Sequence, residues 1–159
     1  MYAKLIPAKG KQKNELTNFL QKQPIRTPFK MNEYYSDPHL TVIWSKPAIS
    51  KRDILGVCDD LCKQYHAKIT NATYWEGHGK IGYIVLNVES DDLNTLHELL
   101  VKMGAVHSHK TYEPHITIAT HDGALNSEIR NWIAAVNDRL ARKPMPITFT
   151  SLSFCDLFD

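Results

Sequence analysis

Pro38-His39-Leu40-Thr41-Val42 and Pro114-His115-Ile116-Thr117-Ile118 are one phrase written twice in the same chain. Eight prolines and eight histidines stand among 159 residues, and chance supplies only about 0.03 copies of Pro-His-x-Thr at such frequencies. Two copies therefore call for a common cause. In a β-strand, residues two apart point to one face and the residue between them points to the other. His39 and Thr41 then share a face, as do His115 and Thr117. Leu40, Val42, Ile116 and Ile118 take the opposite face, where aliphatic side chains suit packing against helices. Each copy thus offers one imidazole and one hydroxyl from a rigid strand. The proline before each histidine lacks the amide donor that continues a ladder, which places each pair near a strand start or edge.

Working outward from the two phrases, Tyr2 to Ile6 reads as a first strand, closed by Pro7 and Gly10. A helix is predicted from about Lys11 to Leu20, with Leu16, Phe19 and Leu20 on its buried side. An irregular crossing from Arg26 to Asp37 leads into the first His-x-Thr strand. Ser50 with Asp53 is a loose helix N-terminal capping signal, and Ile54, Leu55, Val57, Cys58, Leu61 and Cys62 follow at amphipathic spacing, predicting a helix to about Tyr65. Ile69 to Trp75 and Ile81 to Val88 read as a hairpin around Glu76-Gly77-His78-Gly79. Asp91 and Asp92 open a helix that Gly104 ends. Val106 to Lys110 is a weaker strand. After the second His-x-Thr strand come a helix from about Ser127 to Ala141 and a last strand from Ile147 to Phe154. This order predicts an α+β protein with mainly antiparallel sheet. Its length suits a single domain, read here as two lobes.

Composition bounds the partners. Hydrophobic residues make up 43% and charged residues 23%, ordinary for a globular protein, so disorder is not indicated. A net charge of +2 is too mild for a surface that coats nucleic acid. Cys58, Cys62 and Cys155 are odd in number, and Cys58-x-x-x-Cys62 is helix spacing rather than a redox or zinc motif. They read as free thiols in a reducing compartment. No apolar run approaches the roughly 20 residues needed to span a bilayer, and Met1 to Leu5 lacks a signal-peptide core. The expectation is a cytosolic protein with no membrane association and no evident protein partner.

Three chemistries use paired histidines. Zinc is disfavoured, because neither motif is His-x-x-x-His on a helix and no third ligand accompanies either copy. Nucleophilic catalysis is weaker still, since no Gly-x-Ser-x-Gly elbow is present and Cys58 and Cys62 have core spacing. General acid-base catalysis needs two imidazoles facing one reacting centre, one taking a proton and one giving it. Two strands bearing the same motif supply that, with threonine hydroxyls placed to donate to phosphate oxygens. The plain alternative is that both histidines are structural. Of the remaining histidines, His66 and His97 fall on predicted helices and His121 in a loop, which predicts surface positions. His107 and His109 share a strand face and are candidates to line the same site, and His78 sits in the turn after Trp75. Trp44 and Trp132 read as core.

The tetrads His39-Leu40-Thr41-Val42 and His115-Ile116-Thr117-Ile118 resemble those of the two-histidine (2H) phosphoesterase superfamily. The resemblance implies two related lobes, built of antiparallel sheets flanked by helices around a central cleft, with one motif per lobe. It also implies cleavage of phosphodiesters without a metal or other cofactor, with His39 and His115 as acid and base and Thr41 and Thr117 as phosphate holders. Within that superfamily, the start Met1-Tyr2-Ala3-Lys4 and the run Tyr74-Trp75-Glu76-Gly77-His78, followed by Gly82-Tyr83, look like phage anti-CBASS nucleases. Those proteins destroy cyclic di- and oligonucleotide immune signals such as cGAMP in the host cytoplasm. By this resemblance Tyr2 and Trp75 are candidates to stack on nucleobases, and Lys4 to meet phosphate. The departure lies at the C-terminus, where Ser151 to Asp159 contain no tryptophan to close the site. Two other functions compete: an RNA enzyme acting on 2′,3′-cyclic phosphates or 2′-5′ linkages, and a sponge that binds cyclic nucleotides without turnover.

Overall fold

Alternation of buried and half-buried residues decides where each strand faces, and capping side chains decide where each helix begins. The computed structural model describes residues 2–7, 11–23, 28, 38–44, 49–61, 64–106 and 111–155. In chain order the elements are β1 (Tyr2–Pro7), α1 (Lys11–Gln21), β2 (Leu40–Trp44), α2 (Lys51–Leu61) and β3 (Tyr65–Glu76). After a short 3-10 turn (His78–Lys80) come β4 (Ile81–Glu89), α3 (Asp91–Lys102), β5 (His115–Asp122), α4 (Ser127–Arg142) and β6 (Met145–Cys155).

The six strands form a closed antiparallel barrel in the order β1-β2-β5-β4-β3-β6. This overturns the expectation of two lobes about a central cleft. β1 pairs with β2 on one side and β6 on the other, and β2 joins β5 through Leu40 and Ile116. The two His-x-Thr strands are therefore immediate neighbours in one barrel wall instead of belonging to separate lobes. Among the described strands, closure also leaves no open sheet edge to template pairing with another chain.

The apolar side of the wall meets the helices. Leu5, Leu40, Val42, Ile69, Ile84, Leu86, Ile116, Ile118 and Phe149 join one core with Leu16 and Leu20 of α1, Ile54 of α2, Leu93, Leu96 and Leu100 of α3, and Ile129, Trp132, Val136 and Leu140 of α4. At about 25 cal/mol per Å² of apolar surface removed from water, this layer is the main force holding the helices to the barrel. Leu55, placed on the apolar side of its helix by spacing, is instead 43% exposed.

Helix starts follow the expected chemistry. Ser50 and Asp53 cap α2 reciprocally: the Asp53 amide donates to Ser50 Oγ at 3.1 Å, and the Ser50 amide donates to Asp53 Oδ2 at 3.3 Å. The Ser50 hydroxyl also donates to Asp53 Oδ2, and this bond leads the influences that hold that carboxyl below the usual carboxylate range. Ser90 caps α3, and its hydroxyl also donates to the His66 carbonyl at 2.7 Å. Asn126 caps α4.

Two element boundaries differ from expectation. β3 begins at Tyr65, not Ile69, because Tyr65, Ala67 and Ile69 are buried while His66 and Lys68 are exposed, a strand period that continues the ladder with β6. His66 is thus an exposed strand residue rather than a helical one. Val106 is outside any strand, and the rest of that expected strand, with His107 and His109, lies outside the described residues, as does the crossing from Arg26 to Asp37 apart from Pro28.

The ladder between β3 and β6 ends at Ile69 and Met145. Beyond it Asn137 of α4 takes over. Its Oδ1 accepts from the Ala72 amide at 2.6 Å, and its Nδ2 donates to the Ala72 carbonyl at 3.0 Å. One side-chain amide thereby satisfies the backbone groups that a neighbouring strand would otherwise take.

Candidate active site

The seam between β2 and β5 sets the geometry. Leu40 pairs with Ile116, and both are fully buried on the helix side. In an antiparallel register the flanking residues then face one another across the strands: His39 opposite Thr117, and Thr41 opposite His115. All four are half-buried on the side away from the core. Side chains directly across an antiparallel pair have Cβ atoms about 4.5–5.5 Å apart. Each imidazole of one motif therefore lies beside the hydroxyl of the other.

Neighbouring strands extend this patch. Lys4 of β1 pairs with Thr41 on one side and Ser153 of β6 on the other, and is half-buried. On the far side, Asn87 of β4 pairs with His115, and Val85 pairs with Thr117. Val85 is fully buried yet stands outside the helix-facing core cluster, so it forms an apolar floor beneath the polar side chains. Tyr2 pairs with Trp44 and Cys155 through its backbone, while its side chain lies outside what the structure describes, as does that of His78.

His115 is oriented by two contacts. Its Nδ1 lies 2.8 Å from the Glu113 carbonyl, which can only accept, so Nδ1 carries a hydrogen. The Trp75 ring packs against the imidazole with centroids 4.2 Å apart and planes at 57°. Trp75 reaches the site because the hairpin holds it there. Tyr74, pointing the other way, donates its hydroxyl to the Gly123 carbonyl at 3.0 Å and lies over Gly82, where an added Cβ would stand 1.9 Å from the Tyr74 oxygen. The glycine is thus required by the close approach of that ring.

Behind β2, the reading of His97 as a surface residue is corrected: it is 6% exposed. Its Nδ1 donates to the Val42 carbonyl at 2.9 Å, and its ring stacks on Tyr112 at 3.9 Å with planes 2° apart. Tyr112 in turn donates its hydroxyl to the Thr41 carbonyl at 3.3 Å, and burial pushes its phenol well above the ordinary range. Two consecutive carbonyls of the first motif strand are therefore held by a stacked pair of side chains.

Asn71, Thr73, Val85 and Asn87 were not singled out from the sequence. The available signal was Asn87 itself, a polar residue in the otherwise apolar run Ile84-Val85-Leu86-Asn87-Val88, on the face opposite to Leu86. Among the described residues, no three His, Cys, Asp or Glu side chains converge as metal ligands, and no helix is long and apolar enough to cross a membrane.

The patch combines two imidazoles, two hydroxyls and an ammonium, groups able to hold phosphate oxygens and move protons. A family model described as anti-CBASS protein Acb1 matches residues 3–137, a span that includes both motifs with Lys4, Trp75, Val85 and Asn87. No curated protein matches the chain.

Proposed function

Because the chain belongs to the anti-CBASS protein Acb1 family, we propose that it is a 2H-type, metal-independent phosphodiesterase that cleaves the 3′-5′ bonds of cyclic di- or oligonucleotide immune signals. What supports this reading is the pairing of Leu40 with Ile116, from which antiparallel geometry puts His39 across from Thr117 and His115 across from Thr41. One scissile phosphate between the strands can then meet an imidazole on each side and a hydroxyl donor beside each imidazole. In this reaction one imidazole removes the proton of the ribose 2′ hydroxyl. The 2′ oxygen forms a bond to phosphorus as the bond to the 5′ oxygen breaks, and the other, protonated imidazole gives its proton to the departing oxygen. Thr41, Thr117 and Lys4 stabilise the charge that grows on the non-bridging oxygens. Trp75, already against His115, offers its ring to a base.

Incubating the protein with cyclic di- and trinucleotides in chelator, and identifying products by mass, tests the reading. A 2′,3′-cyclic phosphate end is expected at least transiently. Cyclic 2′-deoxynucleotides should bind and remain uncut. Their cleavage at a rate comparable to the ribose compounds would overturn the internal-nucleophile mechanism, and activity that disappears in chelator and returns with zinc or manganese would overturn metal independence.

A further inference from the structure

Beyond His115, the same face of β4 and β3 carries a set of uncharged side chains bonded to one another. Asn87 Nδ2 donates to Thr73 Oγ1 at 2.5 Å, and Asn71 Nδ2 donates to the same oxygen at 3.3 Å. Asn71 Oδ1 accepts from the Thr70 hydroxyl at 3.1 Å. A hydroxyl oxygen has two lone pairs and one hydrogen. With both lone pairs engaged, the Thr73 hydroxyl is left to donate, and among the described residues Asn87 Oδ1 meets no partner. One donor and one acceptor therefore stand side by side, the acceptor on the strand next to His115 and the donor two residues from Trp75.

Earlier on this face of β3, the side chains are His66 and Lys68, exposed and ionisable. From Asn71 onward they are half-buried, neutral and braced. An uncharged donor-acceptor pair is poorly suited to phosphate, which Lys4 and the threonines already serve. It matches the edge of a nucleobase, where a ring acceptor lies beside an amino or imino donor.

We infer that Thr73 and Asn87, braced by Asn71, form a nucleobase-reading edge for the base that packs at Trp75, so that the site takes cyclic nucleotides whose base offers a donor beside an acceptor. This rests on the proposed phosphodiesterase reading. A site built to hydrogen-bond a substrate N–H rejects an analogue that lacks it far more strongly than an apolar pocket does.

The test pairs two ligands with two proteins: a cyclic dinucleotide of adenosine and one of purine riboside, which lacks the exocyclic amine, against the parent chain and Asn87→Leu. KM is measured for the ribose compounds, and equilibrium binding for their 2′-deoxy forms. The parent should favour adenine by tenfold or more, and Asn87→Leu should bind both ligands alike. Thr73→Val should reduce the same preference. A parent indifferent to the two bases overturns the edge even if no variant folds, and so does an unchanged preference in Asn87→Leu. Binding with the expected preference but without turnover of any ribose compound would sink the phosphodiesterase reading and uphold the edge. No binding of either ligand would sink both.

Discussion

The β3-β4 hairpin and the β2-β5 seam build the two sides of the site in different ways. From Lys68 opposite Glu89 to Glu76 opposite Gly82, the hairpin is a continuous backbone ladder with one register shift. Among the described residues the seam has a single backbone pair, Leu40 with Ile116, and is reinforced by side chains: His97 on the Val42 carbonyl and Tyr112 on the Thr41 carbonyl. The hairpin can therefore carry stability, while in the proposed reaction the seam carries the chemistry. A short ladder leaves the His-x-Thr side chains accessible, and the stacked pair behind it restores the positional restraint that a longer ladder would have supplied. Asn137 does the same for β3 where β6 leaves off. Side chains thus finish the barrel at two of its joints.

The comparison breaks most visibly at the histidines. His39→Ala and His115→Ala should each lower turnover by about 10² to 10⁴, the usual worth of a positioned acid or base. Both side chains are only half-buried on the face away from the core, so the unfolding midpoint should stay close to the parent's. Steady-state kinetics with thermal unfolding on the same samples checks this. Near-normal turnover in either variant would remove the paired acid-base assignment, and a large loss of stability would show that the seam carries the fold.

Gly82→Ala is the reciprocal change in the hairpin. The new methyl would collide with the Tyr74 ring, and overpacking of this kind destabilises by roughly 1–3 kcal/mol. Turnover per folded molecule should fall much less than in the histidine variants. Urea unfolding measures the first quantity, and titration of active sites the second. A stable Gly82→Ala with lost activity would invert the assignment of roles.

These contrasts also mark what the chain reveals before folding. The repeated phrase and strand alternation are sufficient to group His39, Thr41, His115 and Thr117 away from Leu40, Val42, Ile116 and Ile118, because facing is a local property with period two. Closure of the barrel is not local. It depends on β1 finding both β2 and β6, and nothing in Tyr2 to Pro7 encodes two partners. Asn87 stands out in the chain as a polar residue in an apolar run, but only the register that places it across from His115 brings it to the site. His97 follows Leu96 on a helix whose pattern is otherwise clear, and its burial is explained by partners distant in the chain, the Val42 carbonyl 55 positions earlier and the Tyr112 ring. The start of β3 is not legible in the chain, because Tyr65 and Ala67 fit the end of a helix as well as the start of a strand when the β6 partner is unknown.

The smallest effect belongs to Tyr112, and it sharpens the comparison by touching only the reinforcement of the seam. Tyr112→Phe keeps the ring that stacks on His97 and removes the hydroxyl that holds the Thr41 carbonyl. Loss of one such bond is worth about 1 kcal/mol of stability. The displaced Thr41 should reduce kcat by about tenfold with little change in KM, because misplacement of a group that acts in the transition state falls on the chemical step. The phenol adds a pH signature. Burial raises its ionisation above the ordinary 10.0, so above that value the unfolded chain gives up the proton while the folded chain keeps it. The folded state then binds more protons than the unfolded one, and stability falls as pH rises. The contribution is fully present below the unfolded value and drains away above it. In Tyr112→Phe it is absent, so the gap in urea midpoint between parent and variant should narrow from about pH 9 to about pH 11. A gap that stays constant across that window would mean that the phenol is not held neutral behind the seam, and an unchanged kcat would mean that the seam does not need it.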